Sequence, residues 1–160
     1  MHMDDAPKKK TVVLGIGIPG AGKTSYLKPL AEKLEYKYVS PDDADIFNAA
    51  KQANDFSIWD KTFKKIYSYL RQGYSVILDT QLAKLEWRRQ SINLLRENGA
   101  NFIQGIYFKT SLEVAKERNS RRTKPVPEIV INAAWQELQN NPPKTEEGLD
   151  DLKIIINNET

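Results

Sequence analysis

The chain has 160 residues, 40% of them apolar and 28% charged, and a net charge of +3, which fits one globular domain of ordinary composition. It has no cysteine, and its one histidine is His2 in the N-terminal tail. That excludes disulfides, thiolate metal sites and thiol nucleophiles, argues against histidine general bases and His-ligated zinc, and suits a reducing, cytoplasmic setting.

Residues 11–17 are apolar and β-branched, as in a buried parallel strand, and a glycine-rich loop follows them. A helix is expected over about 22–34, with Pro29 inside it, and a short strand over 36–39. Ser40 before Pro41 reads as the start of another helix. A helix over about 59–71 places Trp59, Phe63, Ile66, Tyr67 and Leu70 on one face and stops at Gly73. A strand over 75–78 ends at Asp79, and a helix over about 84–97 is closed by Asn98 and Gly99. Residues 102–108 read as a strand, and Ser111 caps a helix to about Asn119. After a polar break at 121–125, Pro127 opens a helix to about Gln139, and residues 152–156 form the last strand.

Strands alternate with helices throughout. The expectation is therefore a flexible tail over 1–10 and a single α/β domain over 11–160, a five-stranded parallel sheet covered by helices on both faces. In such sheets ligands sit beyond the carboxyl ends of the strands, where Gly17, Ser40 and Asp79 all fall. No apolar run approaches the roughly 20 residues of a membrane span. The small net charge does not imply a strong nonspecific nucleic-acid binder.

The segment Gly17-Ile18-Pro19-Gly20-Ala21-Gly22-Lys23-Thr24 satisfies G-x-x-x-x-G-K-[ST] between a predicted strand and a predicted helix. Its glycines let backbone amides turn towards phosphate oxygens, and the helix N-terminus adds partial positive charge. Gly20, Ala21 and Gly22 are expected to cradle the phosphates of ATP or another nucleoside triphosphate. Lys23 would reach the β- and γ-phosphates, Thr24 would coordinate Mg²⁺, and Ser25 would be a neighbouring phosphate contact.

Three further clusters belong to the same reading. Asp42, followed by Asp43 and Asp45, stands where a carboxylate can orient an acceptor hydroxyl and take its proton. Acids in a first helical turn would give the same pattern. Asp79, followed by Thr80, ends an apolar strand and is a candidate for metal binding through water or for orienting the acceptor. Arg118, Arg121 and Arg122 supply forks suited to triphosphate oxygens, on a segment able to close as a lid. Trp87 with Arg88 and Arg89 could stack on and bind an acceptor, although an amphipathic helix accounts for them equally well.

Together, the loop, Ser40-Pro41-Asp42-Asp43, Leu78-Asp79-Thr80 and Arg118-Asn119-Ser120-Arg121-Arg122-Thr123-Lys124-Pro125-Val126-Pro127 resemble the bacteriophage-type polynucleotide 5′-kinases. The resemblance covers roughly residues 11–156. It implies a three-layer P-loop kinase fold with an arginine-rich lid, and ATP-dependent transfer to the 5′-hydroxyl of DNA or RNA. By position Asp42 matches the general base, Asp79 the second active-site aspartate, and Arg118 and Arg122 the lid arginines. Two positions depart from that pattern. Asp45 stands where the family has an arginine for the acceptor's phosphate, and Gln81 replaces asparagine in its D-T-N. The acceptor could therefore instead be a nucleoside, sugar or antibiotic hydroxyl, and a nucleotide-binding regulator without turnover is a third reading.

Overall fold

A computed structural model describes residues 9–41 and 56–157. Five strands, β1 (Thr11–Ile16), β2 (Lys37–Val39), β3 (Val76–Asp79), β4 (Phe102–Lys109) and β5 (Asp151–Ile156), pair in the order β2-β3-β1-β4-β5. Every pairing is parallel. The connecting helices are α1 (Lys23–Leu34), α2 (Asp60–Arg71), α3 (Leu85–Glu97), α4 (Leu112–Ser120) and α5 (Glu128–Asn140). They cover both faces of the sheet. The central strands are accordingly apolar without alternation, and β3 is buried along its whole length.

The expected elements are present with small shifts at their ends. α1 runs through Pro29, whose missing N–H leaves the Ser25 carbonyl without its helical donor. α2 starts one residue later than expected, because residues Phe56–Trp59 form a 3-10 turn with Trp59 as the N-cap. Ser111 caps α4 by accepting from the Val114 N–H at 3.3 Å. The helix expected after Ser40, with Asp42, Asp43 and Asp45, lies outside the described residues. No helix among the described residues is long and apolar enough to cross a membrane.

The parallel register brings the functional loops together. Gly15 of β1 pairs with Asp79 of β3, so the chain leaves both strands at the same sheet edge. Just beyond, the Gly17 N–H donates to the Gln81 carbonyl at 3.0 Å. Lys109 at the end of β4 pairs with Ile156 at the end of β5, which delivers Thr110 and Asn157 to that edge.

Arg88 corrects one expectation. It is fully buried (0% exposed) and does not face an acceptor. Its five N–H donors are all engaged: Nε and one Nη2 hydrogen on the Glu147 carboxylate, the other Nη2 hydrogen on the Asn141 carbonyl, and Nη1 on the Leu82 and Ala83 carbonyls. This guanidinium ties the segment before β5 to the turn that follows Asp79. That turn includes Leu82 at φ 43, a left-handed conformation unfavourable for leucine. Removing Arg88 strands the buried Glu147 charge. Arg88→Met is expected to cost about 3–5 kcal/mol in urea denaturation, and Glu147→Leu in the same chain should restore part of it. A change below about 0.5 kcal/mol, the size of an ordinary surface substitution, would contradict the structural role.

Candidate functional site at the phosphate loop

The loop between β1 and α1 takes its shape from two glycines. Gly20 (φ +86) and Gly22 (φ +85) are both left-handed, and a Cβ on either would collide with its surroundings. At Gly20 the obstacle is the Ala115 carbonyl oxygen, 2.3 Å away, and at Gly22 it is the Asn157 amide nitrogen, 2.4 Å away. α1 begins directly after Gly22 without a side-chain cap. Its first-turn amides are the orphan donors that an anion satisfies.

Behind the loop, side chains from three other elements hold it. Arg118 Nη1 of α4 donates to the Gly20 carbonyl at 3.2 Å, and Nη2 donates to Asn157 Oδ1 at 3.2 Å. Asn157 Nδ2 in turn donates to the Ala21 carbonyl at 3.1 Å, and the Thr110 hydroxyl donates to the same carbonyl at 3.3 Å. Sequence reasoning missed Thr110 and Asn157. The signal available was their position, each the first residue after a parallel strand.

Lys23 is buried, with Nζ donating to the loop's own Gly17 and Ile18 carbonyls at 2.9 and 3.0 Å. Burial pushes its ammonium down to about 8; Asp79 opposes the shift and Arg122 adds to it. The Thr24 hydroxyl donates to Asp79 Oδ2 at 2.7 Å. The hydroxyl of Tyr38, the middle residue of β2, donates to the same carboxylate oxygen. Burial, and then the hydrogen bond to Asp79, push the Tyr38 phenol well up, so it remains a donor across the physiological range. Tyr38 is a second residue that sequence reasoning did not single out.

Lys23, Thr24 and Asp79 line one cavity of about 260 Å³, together with Gly20, Ala21, Gly22, Ser25, Thr80, Arg118 and Arg122. Arg118 and Arg122 face this cavity, whereas Arg121 is exposed and paired with Glu117 at 2.5 Å. The segment after α4 is closed by Asn119, buried and bonded in both directions to the backbone of Val126. Pro41, the last described residue before Asp42, also lines the cavity. Thr24 and Asp79 are oxygen donors of the kind that suits Mg²⁺. Among the described residues no group of three or more histidine, cysteine or acidic side chains could hold a metal alone. A Mg²⁺ ion at Thr24 and Asp79 would therefore take further ligands from phosphate and water, and this donor set fits that use.

A nucleotide's phosphates favour the charged form of Lys23. Binding should therefore take up a proton wherever the free lysine is partly neutral. With the free group at about 8, ATP affinity is expected to be roughly tenfold weaker at pH 9 than at pH 7. Calorimetry in buffers of different ionisation heat should register the proton uptake near pH 8. A flat affinity profile without proton uptake would contradict this environment for Lys23.

A family model described as AAA domain matches residues 12–141. An L-seryl-tRNA(Sec) kinase from Methanococcus maripaludis is 23% identical over 152 residues, covering 89% of this chain and 58% of that protein. A protein of Acanthamoeba polyphaga mimivirus, named for a bifunctional polynucleotide phosphatase/kinase, is 28% identical over 116 residues, covering 72% of this chain and 25% of that protein. The chain thus spans less than two-thirds of the length of either relative. A gluconokinase from Sinorhizobium meliloti 1021 shares the fold with a TM-score of 0.62 and 17% identity, over 95% of this chain and 84% of that one.

Proposed function

The chain belongs to the AAA_33 family of AAA domains, and from that premise we propose that it is an ATP-dependent kinase that phosphorylates the 5′-hydroxyl end of a polynucleotide. The observation that carries the kinase reading is the grouping of Lys23, Thr24, Asp79 and Arg122 around one cavity at the sheet edge. A triphosphate-binding regulator needs the loop and its lysine. A carboxylate bonded to the loop threonine serves binding of Mg²⁺ and nucleotide as well, whereas an arginine across the same space suits the charge that spreads over a transferring phosphoryl group. The polynucleotide acceptor is supported by the mimivirus relative named for polynucleotides and the archaeal one named for a charged tRNA.

In this reading the loop amides and Lys23 hold the β- and γ-phosphates of ATP. Asp42 follows Pro41, which lines the cavity, and it takes the proton of the acceptor hydroxyl. The hydroxyl oxygen then bonds to the γ-phosphorus as the bond to the bridging oxygen of ADP breaks. Lys23, Arg118 and Arg122 neutralise the charge that spreads over the transferring group. Mg²⁺, when bound at Thr24 and Asp79, supplies charge neutralisation on the phosphate oxygens. Tyr38 holds the Asp79 carboxylate in place, and Thr80 lies on the acceptor side of it.

A small-molecule acceptor is the second reading. It is favoured by the absence of an acceptor-side arginine among the described residues once Arg88 is buried, and by Asp45 in the sequence.

Labelled γ-phosphate transfer onto a 5′-hydroxyl oligonucleotide, run beside a nucleoside and gluconate, tests the acceptor. The expected product is the 5′-phosphorylated oligonucleotide. Transfer to a small molecule alone would overturn the polynucleotide reading, and nucleotide binding without transfer to any hydroxyl would overturn the kinase reading. Asp42→Asn is expected to lower the rate about a hundredfold or more, as for a general base. Turnover at the wild-type rate would reject that role.

A further inference from the structure

A second cavity, of about 360 Å³, adjoins the phosphate cavity. Pro41, Trp59, Thr80 and Gln81 line both, so the two spaces meet past the end of β3, beside Asp79. Its walls come from the turn before α2, the start of α3 and one face of α5. Trp59, Phe63, Leu78, Trp87, Val130 and Ala134 make them largely apolar. Trp59 and Trp87 stand edge to face, their ring centroids 5.8 Å apart at 78°. Lys84 and Glu137 are the only charged side chains lining the cavity among the described residues, and their charges cancel.

We infer that this cavity binds a planar, uncharged ring, a nucleobase, on the group that receives the phosphate. The inference rests on the kinase reading and specifies its acceptor as a nucleoside unit. Two properties of the cavity lead to it. Aromatic walls favour flat rings, whose stacking tolerates any base. The balanced charge offers nothing to a sugar acid or a phosphorylated sugar, and apolar walls leave the hydroxyls of a free sugar unsatisfied. The junction with the phosphate cavity sets the ring beside the transfer site, as a 5′-terminal nucleoside requires.

The test is tryptophan fluorescence during titration with thymidine, with the phosphate loop saturated by ADP and Mg²⁺ so that the probe cannot occupy it. Deoxyribose and gluconate serve as ringless comparisons. Saturable quenching by thymidine alone is expected. Trp87→Ala should weaken it about tenfold or more, within the range of base–aromatic stacking. Trp59→Ala removes the other aromatic wall and should weaken it as well. Thermal melts with ADP bound establish that each variant is folded. Equal signals from thymidine and deoxyribose, or unchanged thymidine affinity in both folded variants, would overturn the inference.

A parallel transfer assay compares an oligonucleotide having a normal 5′ end with one ending in an abasic residue. Loss of transfer to the abasic end is expected. Equal transfer to both ends would overturn the ring site and leave the kinase reading intact. Saturable thymidine binding without transfer to any acceptor would overturn the kinase reading and leave the ring site intact.

Discussion

The hydrogen bond from the Thr24 hydroxyl to Asp79 joins residues 55 apart in sequence. It exists because β1 and β3 are neighbours and parallel, with Gly15 level with Asp79. A one-residue slip would turn Asp79 to the opposite face and remove it from the loop. The apolar runs of β1 and β3, buried on both faces, hold that register, and the Gly17–Gln81 backbone bond continues it beyond the strands. The proposed metal position and the apolar cavity beside Asp79 both depend on this alignment.

Charge is arranged around that point in two ways. Burial disfavours the charge of Lys23, Asp79 partly offsets this, and Arg122 adds to it. The site is thus primed for a polyanion, which relieves both effects. Arg88 has the opposite character. It is paired with Glu147, every donor is satisfied, and it is sealed from water, so it fixes shape and offers no charge to a ligand. The turn that Arg88 holds also lines the apolar cavity, which explains how a residue without access to that space still shapes it.

Much of the donor half was legible from sequence, because its chemistry is local. A phosphate loop needs glycines, a lysine and a hydroxyl within a few residues, and a strand that ends in aspartate declares itself. The five strands and the sheet edge followed from the alternation of apolar runs with helical patterns. Arg88 was not legible: an arginine beside tryptophan on an amphipathic helix looks exposed until a distant glutamate reaches it. Tyr38, Thr110 and Asn157 were missed for a similar reason. Each acts only through strand order, and short-range spacing carries no trace of β2 lying beside β3 or of β5 beside β4. The apolar cavity is assembled from the turn before α2, the start of α3 and a face of α5, so its aromatic pair emerges only in three dimensions.

In the proposed function, Thr24 and Asp79 together form the metal side of a nucleotide-binding site. The direct measurement is ATP affinity by calorimetry with and without Mg²⁺, in the wild type and in Asp79→Asn, a substitution that retains a side-chain oxygen for Thr24 and Tyr38. Mg²⁺ is expected to strengthen ATP binding to the wild type, and Asp79→Asn to lose most of that gain, about tenfold or more, while metal-free affinity changes little. An undiminished Mg²⁺-dependent gain in Asp79→Asn would contradict it.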